Sequence, residues 1–259
     1  MIKKLNLEFK TDTFLNFVEK LQDLTGIEDT LKLKISKDNI LIYSIMGNEG
    51  QVSAMKCYLL TTSDFITNFN EEGSYDFVLT SSSKFVKNLK FFDPKKTIKL
   101  ELSAKPLPEE DDVFQIRTIN LSNGKLKISS IGAELHKLRD LNKKFIDTKL
   151  DLKKSKWRFK LSTEDYTNIK KLSTINNEDR ILNINVLNKK VYFSEISKWE
   201  LEVDEVDVSN QHIMFGKKYL SNINPTNDQV VFNIFENFIL IKDEESNLML
   251  SFEQDFSTD

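Results

Sequence analysis

The chain has 259 residues, and 39% hydrophobic with 30% charged residues is typical of a globular domain with a charged surface. Its single cysteine, Cys57, excludes an internal disulfide, and the surrounding AMKCYLL predicts a buried core position. The N-terminal MIKKLNLEFK lacks the apolar core of a signal peptide, and no stretch approaches the ~20 apolar residues of a membrane helix. We therefore expect a cytoplasmic protein without a membrane partner.

Short strands of alternating polarity dominate the chain and pair into hairpins. The second hairpin turns at Asn123–Gly124, the strongest short hairpin signal in the sequence. Each hairpin has one apolar face, which predicts antiparallel sheets with one side packed on a core. In chain order the predicted hairpins are LKLKIS with ILIYSI, FQIRTINLS with KLKISSI, ILNINVL with VYFSEI, and VVFNIF with FILIKD.

Four helices are predicted between these strands, at about 11–24, 81–93, 162–173 and 217–223. Thr11 or Asp12 is expected to cap the first helix, and Ser162 or Thr163 the third. Spacing of three and four residues gives each helix one apolar face. These faces are Phe14, Phe17, Val18 and Leu21; Phe85, Val86, Leu89 and Phe92; Tyr166, Ile169, Leu172 and Ser173; and Tyr219, Leu220 and Ile223.

The order of elements repeats along the chain. FKTDTFLNFVEKL, which begins at Phe9, parallels FKLSTEDYTNIKKL, which begins at Phe159, and KFVKNL parallels KYLSNI. The chain is therefore interpreted as four units of strand, helix and three strands, two in each half. We predict domains at 1–130 and 155–259, joined by a connector at 131–154 in which a helix around 133–141 is an option.

Two similar halves, each of two strand–helix–three-strand units, resemble the sliding clamps, the ring-shaped processivity factors of DNA polymerases. The resemblance covers the whole chain, and the order of elements, the duplication and the connector length carry it. It is closest to the clamps of T-even-like bacteriophages and to the cellular trimeric clamps. The C-terminal NLMLSFEQDFSTD resembles the final strand and short acidic tail of the phage clamps. It implies an α+β processivity fold with the helices on one face of antiparallel sheets.

The resemblance also implies a function. Three copies would close into a ring around duplex DNA and tether the replicative polymerase, without catalysis of their own and without a cofactor. A clamp-loader ATPase would open the ring, and the protein would act in the host cytoplasm if it comes from a phage. A role in late transcription, as in the T-even-like clamps, is carried over as a hypothesis.

In such a ring the helices face DNA, and all four predicted helices have lysines at polar positions. A lysine face alone is usually just solvated, but its recurrence in repeat-equivalent helices favours sequence-independent attraction to phosphates. The first helix is the weakest member, since Glu19 and Asp23 share its polar face. The lysines expected to face DNA are Lys20, Lys84, Lys87, Lys90, Lys95, Lys96, Lys170, Lys171, Lys217 and Lys218.

Two further surfaces follow from the resemblance. A partner peptide would dock in a hydrophobic pocket beside the connector, although core packing explains several of its residues equally well. The expected pocket residues are Met46, Leu135, Leu138, Leu141 and Phe252. The subunit interface would pair strand 124–130 with strand 199–206, through Lys125, Lys127 and Ser129 on one side and Glu200 and Glu202 on the other.

Two other functions stay open. A β-rich virion protein would show the same strands and duplication, but its lysines would not converge on one surface. A metal-dependent nuclease would use the acids Glu109–Asp112, although prolines before them favour a solvated loop. His136 and His212 are separated in the repeat and have no cysteine partner, so no zinc site is expected.

Overall fold

Most of the chain folds into strands, as the alternation of apolar and polar residues and the hairpin turns predict. The structure is a computed structural model that describes residues 2–47, 52–108, 110–134, 152–175, 181–194, 200–225, 228–243 and 246–253. It divides into two units. The first unit comprises Met1–Ile45 and Lys56–Asp140, and the second comprises Met46–Met55 and Leu141–Asp259.

The first half of the chain contains strand, helix and three strands, twice. The first set is β1 (Lys3–Phe9), α1 (Phe14–Leu24), β2 (Thr30–Ile35), β3 (Asn39–Met46) and β4 (Ala54–Thr61). After α2 (Thr62–Phe65) and β5 (Ile66–Thr67), which the sequence did not predict, the second set is β6 (Ser74–Thr80), α3 (Ser82–Leu89), β7 (Ile98–Pro106), β8 (Val113–Asn123) and β9 (Leu126–Ile131).

One sheet runs through the first unit, in the order β4-β3-β2-β6-β8-β7-β1-β5, with β9 added beside β8. Its apolar face packs under α1 and α3, which also contact each other. Aromatic rings join the layers: Phe14 of α1 lies 5.4 Å from Phe9 of β1 and 5.9 Å from Phe92, which follows α3. The predicted apolar faces of both helices are therefore confirmed as core.

The second half repeats the order. It contains β10 (Trp157–Ser162), α4 (Thr163–Ile175), β11 (Ile181–Leu187), β12 (Lys190–Ser194) and β13 (Glu200–Glu205), then β14 (Gln211–Gly216), a 3-10 helix (Lys217–Asn222), β15 (Gln229–Ile234), β16 (Phe238–Lys242) and β17 (Ser246–Ser251). A single 3-10 turn, Leu152–Lys154, precedes β10.

Two four-stranded ladders build the second unit, β10-β15-β16-β17 and β13-β12-β11-β14. Phe159 and Phe232 come from the first ladder and Phe193 from the second, and their ring centroids lie 4.9 to 6.0 Å apart. This aromatic cluster packs the two ladders together. Tyr166 of α4 joins the cluster, and its hydroxyl donates to the Leu220 carbonyl at 2.7 Å.

Some of the turns and helix caps predicted from the sequence are present in the structure, and one predicted cap is not. Asn188 and Lys189 both have positive φ between β11 and β12, as a two-residue hairpin turn requires. Ser162 caps α4, because its Oγ accepts the Asp165 N–H at 3.0 Å. The cap predicted for the first helix is wrong, since α1 begins after Thr13, whose hydroxyl donates to the Asp64 carbonyl instead.

The fourth predicted helix is a short 3-10 helix. Lys217–Asn222 spans six residues and is followed within three residues by Pro225, which leaves little room for an α-helical ladder. The helix predicted as an option at 133–141 is not seen at Ala133, whose N–H donates to the Val78 carbonyl at 2.9 Å. Its remaining residues lie outside the described ranges.

Cys57 is buried, as predicted, and burial raises its thiol pKa to about 12. The thiol therefore stays protonated at neutral and mildly alkaline pH. We expect the native protein to react very slowly with a disulfide reagent at about pH 8, and the protein unfolded in guanidinium to react at once with one equivalent. Rapid stoichiometric labelling of the native protein would contradict the buried position.

Candidate nucleic-acid interface and strand edges

Lysines line the exposed side of α3. Val86 and Leu89 are buried against the sheet, and the opposite side of the helix carries only lysines and Asn88. Lys96, in the turn after the helix, has its ammonium 3.6 Å from the Asp93 carboxylate. The exposed lysines of the helix and this turn are Lys84, Lys87, Lys90, Lys95 and Lys96.

A residue from another part of the sequence caps α3. Ser81, with φ +55, makes no side-chain cap. Instead the Asp29 carboxylate accepts the Ser83 N–H at 2.7 Å and the Ser82 hydroxyl at 3.2 Å. The Ser83 N–H, the serine hydroxyls and the charge of Lys87 hold the pKa of Asp29 below its usual value. The cap therefore depends on an ionised carboxylate at the positive end of the helix.

Removing this cap is expected to destabilise the first unit. Asp29→Ala should lower the free energy of unfolding by about 1 kcal/mol at neutral pH, the usual loss for a helix cap. Because the folded-state pKa is depressed, the contribution of the charge is complete above the unfolded pKa of about 3.9 and disappears as pH falls through the folded value.

Urea unfolding of wild type and Asp29→Asn at several pH values tests the charge separately, since Asn keeps a capping oxygen. The difference between the two free energies of unfolding should be constant near neutral pH and should become smaller below about pH 4. A gap that does not change with pH would mean that the carboxylate charge is not involved.

Two lysines that we expected to face DNA are buried. Lys20 is only 7% exposed, and its ammonium lies 5.1 Å from the centre of the Tyr58 ring on β4. The hydroxyl of Tyr58 and the ammonium of Lys56 both bond the Asp23 carboxylate. α1 therefore directs polar residues toward β4, and the expectation of an outward Lys20 is wrong.

Lys217 is also buried, at 5% exposure, so its expected outward position is wrong as well. It opens the 3-10 helix, which turns every three residues, so the face predicted from α-helical spacing does not apply. Lys218 is exposed, with its ammonium 4.8 Å from the centre of the Tyr219 ring.

On α4, Lys170 and Lys171 differ. Lys170 is half-buried, and its ammonium donates to the Ile223 carbonyl at 2.9 Å and to Asn224 Oδ1 at 3.1 Å. It joins α4 to the end of the 3-10 helix. Lys171 is exposed. Of the ten predicted lysines, seven are therefore exposed: Lys84, Lys87, Lys90, Lys95, Lys96, Lys171 and Lys218.

In the part of the chain that the structure describes, β9 and β13 each have one edge without a strand partner, and the two strands carry side chains of opposite charge. Within the described residues, β9 pairs only with β8, and β13 only with β12. The predicted interface residues Lys125, Lys127, Ser129, Glu200 and Glu202 are all exposed.

Apolar side chains accompany these charges. Ile131, at the end of β9, is 78% exposed, and β13 carries the half-buried Leu201 and Val203. Glu202 also accepts a hydrogen bond from Lys190 at 2.8 Å within the sheet. β13 is also contacted by β10, whose Lys160 N–H donates to the Asp204 carboxylate at 3.1 Å. Strand edges that lack a strand partner favour pairing with another chain.

The predicted peptide pocket is described only in part. Met46 and Phe252 are half-buried in the second unit. The Tyr219 hydroxyl bonds Met46 Sδ, and Phe252 forms a β-bridge with Phe215. Leu135, Leu138 and Leu141 lie outside the described residues, so the pocket remains a prediction.

The polar groups considered for metal chemistry do not form a metal site where the structure describes them. Glu110, Asp111 and Asp112 are exposed between β7 and β8, and His212 is exposed with Nδ1 2.6 Å from Asn185 Oδ1. Across the described ranges, no three His, Cys, Asp or Glu side chains are grouped as a metal site would need. Glu109 and His136 lie outside those ranges. None of the helices described has the length and apolar character required to cross a membrane.

The sequence matches no protein-family model and no curated protein. Its fold, however, matches solved structures over nearly its whole length. PCNA from Thermococcus kodakaraensis aligns with 96% of this chain and 100% of its own, at 13% identity and a TM-score of 0.65. The chain has the sliding-clamp fold.

Other structures with this fold agree. The DNA polymerase sliding clamp of Bacillus subtilis aligns with 99% of this chain and 67% of its own, at 11% identity and a TM-score of 0.66. A. fulgidus PCNA, solved with the C-terminal region of FEN-1, aligns with 98% and 99%, at 9% identity and a TM-score of 0.61. The predicted α+β clamp fold is therefore confirmed, and at these identities the likeness is one of fold.

Proposed function

We propose that this protein is a DNA sliding clamp, in which three copies form a ring around duplex DNA and hold the replicative polymerase on its template. It has no catalysis of its own in this proposal. The sliding-clamp fold over nearly the whole chain is the observation that carries it. Within the clamps, we propose a relationship to those of T-even-like phages, with action in the host cytoplasm and a second role in late transcription.

The free strand edges support ring assembly. The lysines beside and on β9 and the glutamates of β13 are exposed at two different edges of one chain. Pairing β9 of one copy with β13 of the next would satisfy the backbone groups of both edges and bring opposite charges together. Such a contact is heterologous, and heterologous contacts generate rings when the rotation closes.

The exposed lysines support contact with DNA. Lysine presents a flexible point charge rather than the bidentate fork of arginine, and attraction to phosphates is independent of sequence. A contact of this type lets a ring slide. A closed ring would stay on DNA because it encircles the duplex. The attraction between the seven exposed lysines of each chain and the phosphates can therefore be weak.

The other partners are proposed from the fold. A polymerase and other proteins would bind by a short peptide at the pocket predicted around Met46, Phe252 and the connector. An ATP-driven loader would be needed to place a closed ring on DNA without ends. The roles of the polymerase and of the loader both presuppose a ring, so the oligomeric state is the first property to test.

Light scattering at micromolar and at nanomolar concentration tests the proposal. We expect a species of three times the 30.2 kDa chain mass, followed by loader-dependent stimulation of a polymerase on primed circular DNA. A monomer at every concentration, with or without DNA and polymerase, would overturn the closed ring.

A further inference from the structure

An exposed phenylalanine extends the lysine surface of α3. Phe91 is 76% exposed, and no other aromatic side chain within the described ranges is exposed. The backbone is still helical at Lys90, and the Phe91 N–H donates to the Asn88 carbonyl at 3.2 Å. Phe91 therefore follows Lys84 and Lys87 at helical spacing of seven and four residues, on the same side as the lysines.

The turn that follows fixes Phe91 in this outward position. The next residue, Phe92, is buried, with its ring 5.9 Å from that of Phe14. Asn123, buried at the end of β8, accepts the Asp93 N–H at 2.9 Å and donates to the Asp93 carbonyl at 3.1 Å. It also donates to two further carbonyls of the turn. With Phe92 and Asp93 held, Phe91 cannot turn into the core.

An outward ring within a cationic stripe fits one kind of ligand. Single-stranded nucleic acid is bound by lysines that follow its phosphates and by aromatic rings on which unpaired bases stack. In duplex DNA the faces of the bases are covered by their neighbours, so a ring has no base to stack on. An acidic peptide would use the lysines but gains little from an isolated aromatic ring.

We propose that Phe91 stacks on an unpaired base of single-stranded DNA, while Lys90 and Lys95 on either side of it contact the adjoining phosphates. This rests on the proposed function in assigning α3 to DNA, and adds to it a contact with unpaired nucleotides where a duplex gives way to a single strand. The contact belongs to one chain, so its test needs no closed ring.

Fluorescence anisotropy with an oligothymidylate and with a duplex of equal length, at low salt, tests the proposal. Phe91→Ala and Phe91→Leu should each weaken binding of the single strand about 5- to 150-fold, the range for the loss of one base–aromatic stack. Phe91→Trp should bind at least as tightly as wild type. Duplex affinity should change less than about twofold in all three. Leu59→Ala removes another exposed apolar side chain, on β4, and serves as the matched control.

The leucine variant separates stacking from bulk. If Phe91→Leu binds oligothymidylate as wild type does, if single strand and duplex weaken together, or if wild type does not bind the single strand at all, the proposal is overturned. Replacing Lys84, Lys87 and Lys90 by alanine distinguishes the proposed binding of duplex DNA from the proposed stacking of Phe91. Loss of duplex binding there, with no effect of Phe91, would leave the proposed function intact and remove only the stacking contact.

Discussion

Reversing the charge of the β13 edge, by Glu200→Lys with Glu202→Lys, is expected to give monomers where the proposed assembly of wild-type chains gives a trimer. Both glutamates are exposed on an edge strand. The variant loses the surface ion pair of Glu202 with Lys190, which contributes little to stability, so the fold of the chain should stay intact. In the assembly it would place lysines against the Lys125–Lys127 edge of the next copy. Like charges across an interface cost several kcal/mol, so each contact should weaken at least about 100-fold.

A compensating change makes this test specific. Lys125→Glu with Lys127→Glu should also give monomers alone. In an equimolar mixture with the β13 variant, both contacts between unlike copies pair opposite charges, so the two variants should associate, although a ring of three would keep one contact between like charges. Sedimentation velocity and circular dichroism, run together, separate dissociation from misfolding. A β13 variant that remains trimeric would place the subunit contact elsewhere on the surface.

Neutralising the α3 surface is the second change with a large expected effect. Lys84→Ala, Lys87→Ala and Lys90→Ala together should weaken binding to a short duplex and lower the slope of log affinity against log salt by about one for each lysine that contacts a phosphate. All three side chains are exposed, and Lys87 acts on the Asp29 cap only through its charge, so the midpoint of thermal unfolding should fall only slightly. With a loader present, the variant should load poorly and stimulate the polymerase less.

A matched variant controls for net charge. Lys4, Lys99 and Lys105 are exposed on β1 and β7, away from the helices in sequence. Their triple replacement by alanine changes the formal charge by the same amount. If it weakens duplex binding as much as the α3 variant does, the attraction comes from overall charge and not from a helix surface.

Local pattern was enough to predict the architecture. Alternation and the repeat beginning at Phe9 and Phe159 specify four units of strand, helix and three strands, and all four are present. These signals act over a few residues, so they survive without knowledge of the tertiary neighbours. The turn predicted at Asn123–Gly124 is one residue off, since Asn123 ends β8 and pairs with Leu126, which leaves Gly124 and Lys125 as the loop. The short α2 and β5 were missed because four and two residues are too few to show a period.

The errors concern residues whose position depends on distant neighbours. Periodicity placed Lys20 on a polar face, but Tyr58, 38 positions later on β4, supplies a ring that draws its side chain inward. Asp29 caps α3 from 54 positions before Ser83, a contact that no local cap motif could indicate. Helix α3 ends at Leu89, so periodicity alone does not fix the direction of Phe91. The burial of Phe92 and the hydrogen bonds of Asn123 show which way it points.

The unequal edges have a consequence for mixtures of chains. In the proposed ring β9 and β13 are different surfaces, so a copy with a disabled β13 would still bind a neighbour at its β9 edge but would offer no β13 edge to a further copy. Such a copy behaves as a chain stopper does in a polymerisation, leaving assemblies that end where it was added. A minority of defective subunits would then inactivate a larger share of wild-type chains, so mutations at either edge are expected to be dominant over the normal gene.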